Sequence, residues 1–305
     1  MEKSIEQAVA TRLAAILGRE NVLADEPMSA HTTFEIGGAA ALFAMPSGGD
    51  ELAAAVAVCR EEDAPFFVLG KGSDLLVADE GYDGVIISLT ERLAWMHVEG
   101  ERIVAAAGAD IRDVSSLAAE QGLSGLEFAC GIPGSVGGGC FMNAGAYGGS
   151  FADALESVEV IDAAGERHVL GVDELDLGYR RSRIAAEGLI VVRAVFALAP
   201  GDPVQIRAAM DDLMEQRESK QPLEHPSAGS TFKRPEGYFA GKLISDAGLK
   251  GYRSGGAAVS EKHAGFVVNL GGATAADVRA VIAHVQDEVE KRFGVRLEPE
   301  VRFLG

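Results

Sequence analysis

The sequence has few cysteines, few basic residues and no apolar run long enough to cross a membrane. Its three cysteines, Cys59, Cys130 and Cys140, have neither metal-ligand spacing nor the even number of a secreted disulfide framework. We therefore expect no metal site and a reducing, cytoplasmic location. No window reaches the roughly 18 apolar residues of a membrane span, and the N-terminus, with Glu2 and Glu6, lacks the apolar region of a signal peptide.

Positive charge is also scarce, since 27 lysines and arginines face 46 aspartates and glutamates, for a net charge of -19. Such a chain lacks the basic footprint by which proteins bind nucleic acid or anionic membranes. An anionic substrate would need a local cluster of cations. Solvated surface patches are the commoner fate of such clusters. The candidate clusters are Arg180, Arg181 and Arg183; Arg217 and Lys220; and Lys233 and Arg234.

Glycine, in contrast, is abundant, and it is concentrated in residues 131–149. A segment so poor in side chains allows close backbone approach to a ligand and leaves amides to donate hydrogen bonds. A second glycine loop, residues 70–75, follows an apolar segment at 65–69 that we predict to be a strand. Two such loops can hold the phosphates and ribityl chain of a dinucleotide, although simple turns are the alternative. Neither loop has the Rossmann fingerprint or the P-loop ending.

The length of 305 residues is enough for two or three domains, and the sequence has no internal repeat. Hydrophobic periodicity predicts the elements of each region. An amphipathic helix ends at Gly18, and a helix capped by Ser47 precedes a small β/α unit. Residues 91–200 are predicted to be antiparallel α+β, with hairpins around Gly100 and Gly165 and a helix capped by Asp110. The C-terminal region has a last helix beginning with a Thr274/Asp277 capping box, and residues 295–303 alternate as a half-exposed strand would.

Several motifs together identify a resemblance that no single motif would establish. They are Gly70-Lys71-Gly72-Ser73-Asp74-Leu75; Gly131-Ile132-Pro133-Gly134-Ser135-Val136-Gly137-Gly138; Asn143-Ala144-Gly145-Ala146-Tyr147-Gly148; Tyr179-Arg180-Arg181-Ser182; Gly229-Ser230-Thr231-Phe232-Lys233; Gly255-Gly256-Ala257-Ala258-Val259; and Leu297-Glu298-Pro299-Glu300-Val301-Arg302-Phe303. In this order they resemble the UDP-N-acetylenolpyruvoylglucosamine reductase family, from His31 to the end of the chain.

The resemblance implies an α+β fold with a two-part FAD-binding module like that of the vanillyl-alcohol-oxidase (PCMH) superfamily. The module would consist of a small β/α subdomain at residues 1–90 and an antiparallel α+β subdomain at 91–200. An α+β substrate domain would follow at 201–305, with its C-terminal strand returning to the active site. The short connection at residues 198–202 resembles the family's shorter (type II) branch. The other branch has a longer insertion here, with a tyrosine that folds over the substrate.

The activity implied by the resemblance is a two-step reduction in peptidoglycan synthesis. NADPH passes a hydride to non-covalently bound FAD, and the flavin passes it to the enolpyruvyl ether of UDP-N-acetylglucosamine, giving UDP-N-acetylmuramate. The expected partners are therefore these two small molecules, with no nucleic acid and no membrane, and we expect a monomer.

The family's functional residues carry over onto matching positions of this sequence. The implied catalytic residues are Arg180, Ser230 and Glu300. The implied substrate-binding residues are Tyr179, Lys220, Lys233 and Arg234. The implied FAD-binding residues are Gly70, Lys71, Gly72, Ser73, Asp74, Leu75, Gly131, Ile132, Pro133, Gly134, Ser135, Val136, Gly137, Gly138, Asn143, Ala144, Gly145 and Ala146.

Physical chemistry sets conditions on the three implied catalytic roles. Hydride addition pushes charge onto the substrate carboxylate, so a fixed guanidinium at Arg180 would stabilise the transition state more than the ground state. Glu300 helps only if it holds a proton, which requires burial or nearby negative charge. Ser230 needs local donors or cations, because an alkoxide is a poor conjugate base; a turn hydroxyl bonded to its own backbone is the alternative.

Two other functions remain open from the sequence. Another FAD-dependent oxidase or dehydrogenase of the same superfamily would share the glycine loops, and it could attach FAD covalently through Cys140 or His31. A non-enzymatic nucleotide-binding protein would leave Arg180, Ser230 and Glu300 without a shared purpose.

Overall fold

The computed structural model describes residues 1–305. Its α-helices are α1 Lys3–Leu17, α2 Gly49–Glu61, α3 Ile111–Glu120, α4 Val136–Met142, α5 Arg183–Glu187, α6 Pro203–Lys220, α7 Ala240–Asp246 and α8 Ala275–Phe293. Its strands are β1 Val22–Pro27, β2 Ala39–Ala44, β3 Phe66–Leu69, β4 Leu75–Val77, β5 Tyr82–Ser88, β6 Met96–Glu99, β7 Arg102–Ala106, β8 Leu123–Ser124, β9 Gly145–Ala146, β10 Gly149–Ser150, β11 Leu155–Ile161, β12 Arg167–Gly171, β13 Ile190–Ala197, β14 Ala199–Pro200, β15 Arg253–Ser254, β16 Ala257–Val259, β17 Val267–Asn269 and β18 Arg302–Leu304. No helix combines the length and the apolar character needed to cross a membrane.

The chain forms two compact units, and each is assembled from separated stretches of sequence. The first unit contains residues 1–24, 42–71 and 84–217, and the second contains residues 25–41, 72–83 and 218–305. The fold is mixed α and β, as the sequence predicts. The division into subdomains at residues 90 and 200 stays a prediction.

The first unit contains a five-stranded antiparallel sheet in the order β12-β11-β13-β7-β6. It also contains most of a four-stranded sheet, β1-β2-β5-β3, in which β3 and β5 are parallel. Buried aliphatic and aromatic side chains, including Leu52, Ile87, Phe151 and Phe196, make one continuous core under these sheets. Burial of this apolar surface is the main stabilising term for the unit.

The second unit is built around helix α8, whose apolar face is buried against the sheet β15-β16-β17. The predicted capping box begins this helix, since Thr274 Oγ1 accepts from the Asp277 amide and the Asp277 carboxylate accepts from the Thr274 amide. Gly294 ends the helix in the left-handed conformation. Strand β18 pairs in parallel with β4, which places the chain's last strand beside the residues that follow the first glycine loop.

Most local predictions are confirmed, and two are wrong. The hairpins around Gly100 and Gly165 and the Asp110 cap are present. Ser47 is not a helix cap: Gly48 occupies the N-cap of α2, and the Ser47 amide and hydroxyl bond to the Glu51 carboxylate. In the tail only residues 302–304 form a strand, and residues 298–300 make a single antiparallel bridge with residues 231–233.

Candidate active site

The first glycine loop begins where strand β3 ends, at the carboxyl edge of a parallel strand pair. Open α/β sheets bind ligands at such edges. Gly72 has a left-handed backbone (φ +60°), and a Cβ atom there would overlap the carbonyl oxygen of His31. Thr33 N donates to the Gly72 carbonyl oxygen at 3.2 Å, so this turn is fixed by the chain at residues 31–33. Only glycine fits this position.

The second glycine segment is bonded along its length to residues 107–111. Ile111 N donates to Gly134 O at 3.0 Å, Val136 N donates to Ala109 O at 2.9 Å, and Gly137 N donates to Ala107 O at 2.7 Å. Ser135 then caps α4 by accepting from the Gly138 amide. The segment is therefore a fixed backbone surface with few side chains.

The structure brings the start of the first loop and the second glycine segment together in the first unit. A Cβ atom on Gly70 would overlap Ser135 Oγ, so the Gly70 backbone lies as close to the Ser135 side chain as glycine allows. Lys71 Nζ donates to Asp110 Oδ2 at 2.8 Å, and Asp110 is bridged to Ser135 through the backbone. Residues some sixty positions apart in sequence thus form one surface, as the glycine pattern predicts.

Asp110 is the anion that organises this surface. It caps α3 by accepting from the Arg112 amide, and it also accepts from the Arg112 guanidinium. Burial acts to raise the pKa of the Asp110 carboxyl, but hydrogen bonds from Arg112 and Lys71 outweigh burial and lower this pKa from 3.8 to about 2. The carboxyl group is therefore ionised at neutral pH and holds two cations beside the glycine loops.

The third predicted stretch, residues 143–146, anchors the turn that carries Arg180. Asn143 is buried with a left-handed backbone (φ +44°), which asparagine tolerates better than most residues. Its Nδ2 donates to Gly178 O at 3.1 Å, and its Oδ1 accepts from the Ala152 amide at 3.0 Å. Ser182 Oγ adds a bond to Phe141 O at 2.6 Å. The turn at 178–182 is therefore fixed to the glycine-rich segment.

Arg180 lies within that turn, in the first unit. Its φ of +51° is unusual for a residue with a side chain, and such strain is concentrated at functional sites. Gly178 and Arg181 exchange both backbone hydrogen bonds around it. The guanidinium carbon lies 5.3 Å from the ring centroid of Tyr179, which is 61% exposed. The turn at residues 178–182 therefore presents one cation, Arg180, beside one exposed aromatic ring, Tyr179.

Ser230 and Glu300 come together in the second unit although seventy residues separate them. Glu300 N donates to the carbonyl oxygen of Thr231 at 2.8 Å, and Phe232 bridges Pro299. Thr231 is itself fixed, because its amide donates to Gly265 O and its hydroxyl accepts from the Val267 amide. Ser230 is exposed and Glu300 is half-buried. The pairing of residues 231–233 with residues 298–300 therefore places Ser230 and Glu300 at the same end of one short antiparallel bridge.

The predicted substrate-binding cations of the second unit differ in their surroundings. Lys233 forms an ion pair with Glu298, and its amide donates to the Glu298 carbonyl oxygen. Arg234 lies 4.1 Å from the centroid of the Phe239 ring, in a cation–π contact. Lys220 is exposed at the end of α6. Ser230 thus has Lys233 nearby in sequence, but the Lys233 ammonium bonds to Glu298.

The two residues considered for covalent flavin attachment have different surroundings. Cys140 is fully buried on α4, and burial raises the pKa of its thiol, so it is inaccessible and unreactive. His31 Nε2 bonds to Glu26 Oε1 at 2.8 Å.

The surface formed by the two glycine segments has the shape and charge to hold FAD. Glycine backbones approach where a Cβ would collide, and the cations Lys71 and Arg112 lie at the loops. A dinucleotide with two phosphates matches this combination of close backbone approach and local positive charge.

Sequence reasoning missed the wider roles of Asp110 and Arg112. Asp110 was predicted only as a helix cap, and Arg112 was not singled out. The one signal in the sequence is an Asp-x-Arg spacing at a helix start, which commonly reflects capping alone.

Comparison with known proteins agrees with this geometry. Residues 40–171 match the model of an FAD binding domain, and residues 221–304 match that of the UDP-N-acetylenolpyruvoylglucosamine reductase C-terminal domain. Proteins named UDP-N-acetylenolpyruvoylglucosamine reductase are 53% identical in Clostridium beijerinckii, over 92% of both chains, and 53% identical in Geobacillus thermodenitrificans, over 96% of both chains. The crystal structure of the Thermus caldophilus enzyme of this name superposes with a TM-score of 0.79 at 37% identity, covering 93% of this chain and 98% of that one. The chain therefore belongs to the UDP-N-acetylenolpyruvoylglucosamine reductase family.

Proposed function

We propose that Arg180, Ser230 and Glu300 are the catalytic residues of an FAD-dependent reduction. The chain is an FAD-containing oxidoreductase that reduces the enolpyruvyl ether of UDP-N-acetylglucosamine for peptidoglycan synthesis, with NADPH as the co-substrate. The fixed backbone positions of these residues support their roles. Arg180 lies in a strained turn that is bonded to Asn143, and Ser230 and Glu300 lie on paired segments.

Bound FAD supplies the hydride transfer, and the chain supplies the surface that holds it. Residues 70–75, 131–138 and 143–146 are rich in glycine, and they allow close backbone approach to the cofactor. The Lys71–Asp110–Arg112 set fixes one loop against the other. Cofactor binding is non-covalent in this proposal, which the full burial of the Cys140 thiol supports.

Arg180 stabilises the negative charge that builds on the substrate carboxylate when hydride adds to the vinyl methylene carbon. A guanidinium stays charged at all working pH values and presents a planar pair of donors to a carboxylate. Its backbone is fixed in advance, so little reorganisation is needed during the reaction. The adjacent Tyr179 presents its exposed ring to the substrate.

Ser230 Oγ delivers the proton to the carbon that bears the carboxylate, and Glu300 supports the enol-like intermediate. The ladder between Thr231 and Glu300 holds the two side chains in a constant relation. Lys220, Lys233 and Arg234 bind the charged groups of the substrate, which an acidic protein must attract locally. To bind the substrate, the Lys233 ammonium must leave its ion pair with Glu298.

The assembly and location of the protein belong to the same proposal. We propose a cytoplasmic monomer of the shorter-loop branch. The direct passage from β13 into β14 and α6 supports the shorter-loop branch.

The decisive experiment follows the flavin spectrum of the purified protein without oxygen. One equivalent of NADPH should bleach the oxidised flavin absorbance, and the UDP-linked enolpyruvyl sugar should then restore it. Reoxidation by oxygen alone would favour an oxidase, and a protein that bound no flavin would contradict the assignment.

The variant Ser230→Ala separates the two half-reactions in the same experiment. NADPH should still bleach the flavin, whereas reoxidation by the sugar should slow by about 10²- to 10⁴-fold, the usual contribution of a positioned proton donor. Ser245→Ala, an exposed serine on α7, is the control and should behave as wild type. Equal rates in the two variants would remove Ser230 from the mechanism.

A further inference from the structure

Arg217, on helix α6, has no role in the proposed mechanism but lies directly on the second glycine segment. A Cβ atom on Gly131 would be 2.7 Å from Arg217 Cδ, 3.0 Å from Met214 Sδ and 3.4 Å from Arg217 Nε. Any residue other than glycine at 131 would displace the arginine. Both residues belong to the first unit.

The Arg217 guanidinium is half-buried and has no carboxylate partner. The groups that act on it electrostatically are Tyr147, Cys130 and Arg112, and Arg112 repels it. Burial lowers its pKa, whereas the pKa values of Arg12, Arg112, Arg183 and Arg296 are raised by carboxylate neighbours. An isolated cation at such depth is costly unless an anion approaches it.

The local charge is positive in a protein that is strongly negative overall. Lys71, Arg112 and Arg217 provide three cations in this part of the first unit, and Asp110 is the one carboxylate bonded among them. Asp110 bonds to Lys71 and Arg112, which leaves Arg217 as the cation available to a ligand at Gly131.

We infer that Arg217 neutralises negative charge of FAD bound at the Gly131 segment. This inference rests on the FAD-dependent function. FAD has two sources of such charge: the pyrophosphate, which is anionic in both redox states, and the pyrimidine edge of the flavin, which becomes anionic on reduction. Either is an oxygen-rich anion that a guanidinium binds well.

The test compares Arg217→Gln with Arg217→Lys and with Arg207→Gln in the full chain. Arg207 lies exposed on the same helix and has no ion pair, so its variant controls for the loss of one positive charge. Two quantities are measured: the Kd for FAD of protein stripped of cofactor, and the reduction potential of bound FAD.

Each source of charge gives its own result. If the pyrophosphate is the partner, Arg217→Gln weakens FAD binding by about ten- to a hundredfold and leaves the potential unchanged. If the flavin edge is the partner, the Kd for oxidised FAD is unchanged and the potential falls by about 30 mV for each tenfold loss of preference for the reduced form. Arg217→Lys keeps the positive charge, so its Kd for FAD and the reduction potential of its bound FAD should both stay close to the wild-type values.

The inference is overturned if Arg217→Gln matches Arg207→Gln in both quantities, or if Arg217→Lys is as impaired as Arg217→Gln. A rise confined to the KM for NADPH or the sugar would assign Arg217 to a substrate instead. Thermal unfolding verifies that each variant is folded. If Arg217→Gln does not fold, Arg217→Met takes its place, because methionine keeps the aliphatic packing on Gly131. Wild-type protein that bound no FAD would contradict the function itself.

Discussion

At the scale of single residues, the site depends on side chains that are missing. Gly70 allows Ser135 to approach, Gly72 allows His31 to approach, and Gly131 leaves room for Arg217. A glycine in sequence does not say which neighbour requires it, because that neighbour lies elsewhere in the chain. The sequence predicted the loops, and their partners came from the structure.

Gly70→Ala should weaken FAD binding by about tenfold or more without unfolding the protein. The added methyl group overlaps Ser135 Oγ, so either the loops separate or the Ser135 hydroxyl rotates out of its bond with the Gly138 amide. Such overpacking costs roughly 1–3 kcal/mol. Titration of cofactor-free protein with FAD measures the change.

Gly171→Ala is the matched control for this substitution. Gly171 has φ -70°, and its added Cβ would be at an ordinary 3.6 Å from Glu174 Oε2. A Gly70→Ala protein with the FAD affinity of Gly171→Ala would show that loop contact is unimportant for the cofactor.

At the scale of elements, the start of α3 is where sequence analysis was correct but incomplete. The cap at Asp110 follows from local chemistry, since aspartate accepts the free amides of a helix start. Its bond to Lys71 and its bridge to Ser135 join segments that are far apart in the sequence. Local sequence determines the helix, and the fold gives its first residue a second role.

Asp110→Asn should lower the free energy of unfolding by about 2 kcal/mol at pH 7. The folded protein lowers the Asp110 pKa to about 2, below the ordinary 3.8. The ionised group therefore contributes stability that is fully present above pH 3.8 and is lost as pH falls through 2. Urea unfolding should show the difference between wild type and variant narrowing below about pH 4.

Asparagine keeps the helix cap, so this variant isolates the charge. Asp113→Asn, an exposed aspartate in the first turn of the same helix, is the control and should change stability little at any pH. A wild-type-minus-variant difference that stayed constant from pH 7 to pH 2 would exclude the Lys71–Asp110–Arg112 set as its origin.

At the scale of the whole molecule, the net charge of -19 opposes the binding of anionic substrates. Repulsion acts over about 30 Å at 0.01 M salt and about 8 Å at 0.15 M salt. Raising the ionic strength between these values should therefore screen the distant acidic groups more than the contacts with Arg180, Lys220 and Arg234.

We expect kcat/KM for the UDP-linked sugar to rise about two- to fivefold over this range. Steady-state kinetics at constant pH give the value, and a neutral salt series controls for specific ions. A fall in kcat/KM would show that the attraction of the substrate by the local cations outweighs its repulsion by the net negative charge of the protein.

Sequence alone determined much of this protein. Helix and strand periods, glycine loops, caps and scattered motifs gave the α+β class, the cofactor and the family, because these signals are local or are read in order along the chain. The tail shows the limit of local signals: residues 295–301 alternate like a strand, yet their β pairing is a single antiparallel bridge between Pro299 and Phe232.

Only the tertiary structure decided which residues meet. It joined Gly70 to Ser135 and Lys71 to Asp110, placed Glu300 beside Thr231, tied the Arg180 turn to Asn143, and set Arg217 on Gly131 without a carboxylate. These are contacts between segments far apart in sequence, and burial of separate cores brings them about. No local pattern encodes the distance between two such segments, because that distance depends on how every intervening element packs.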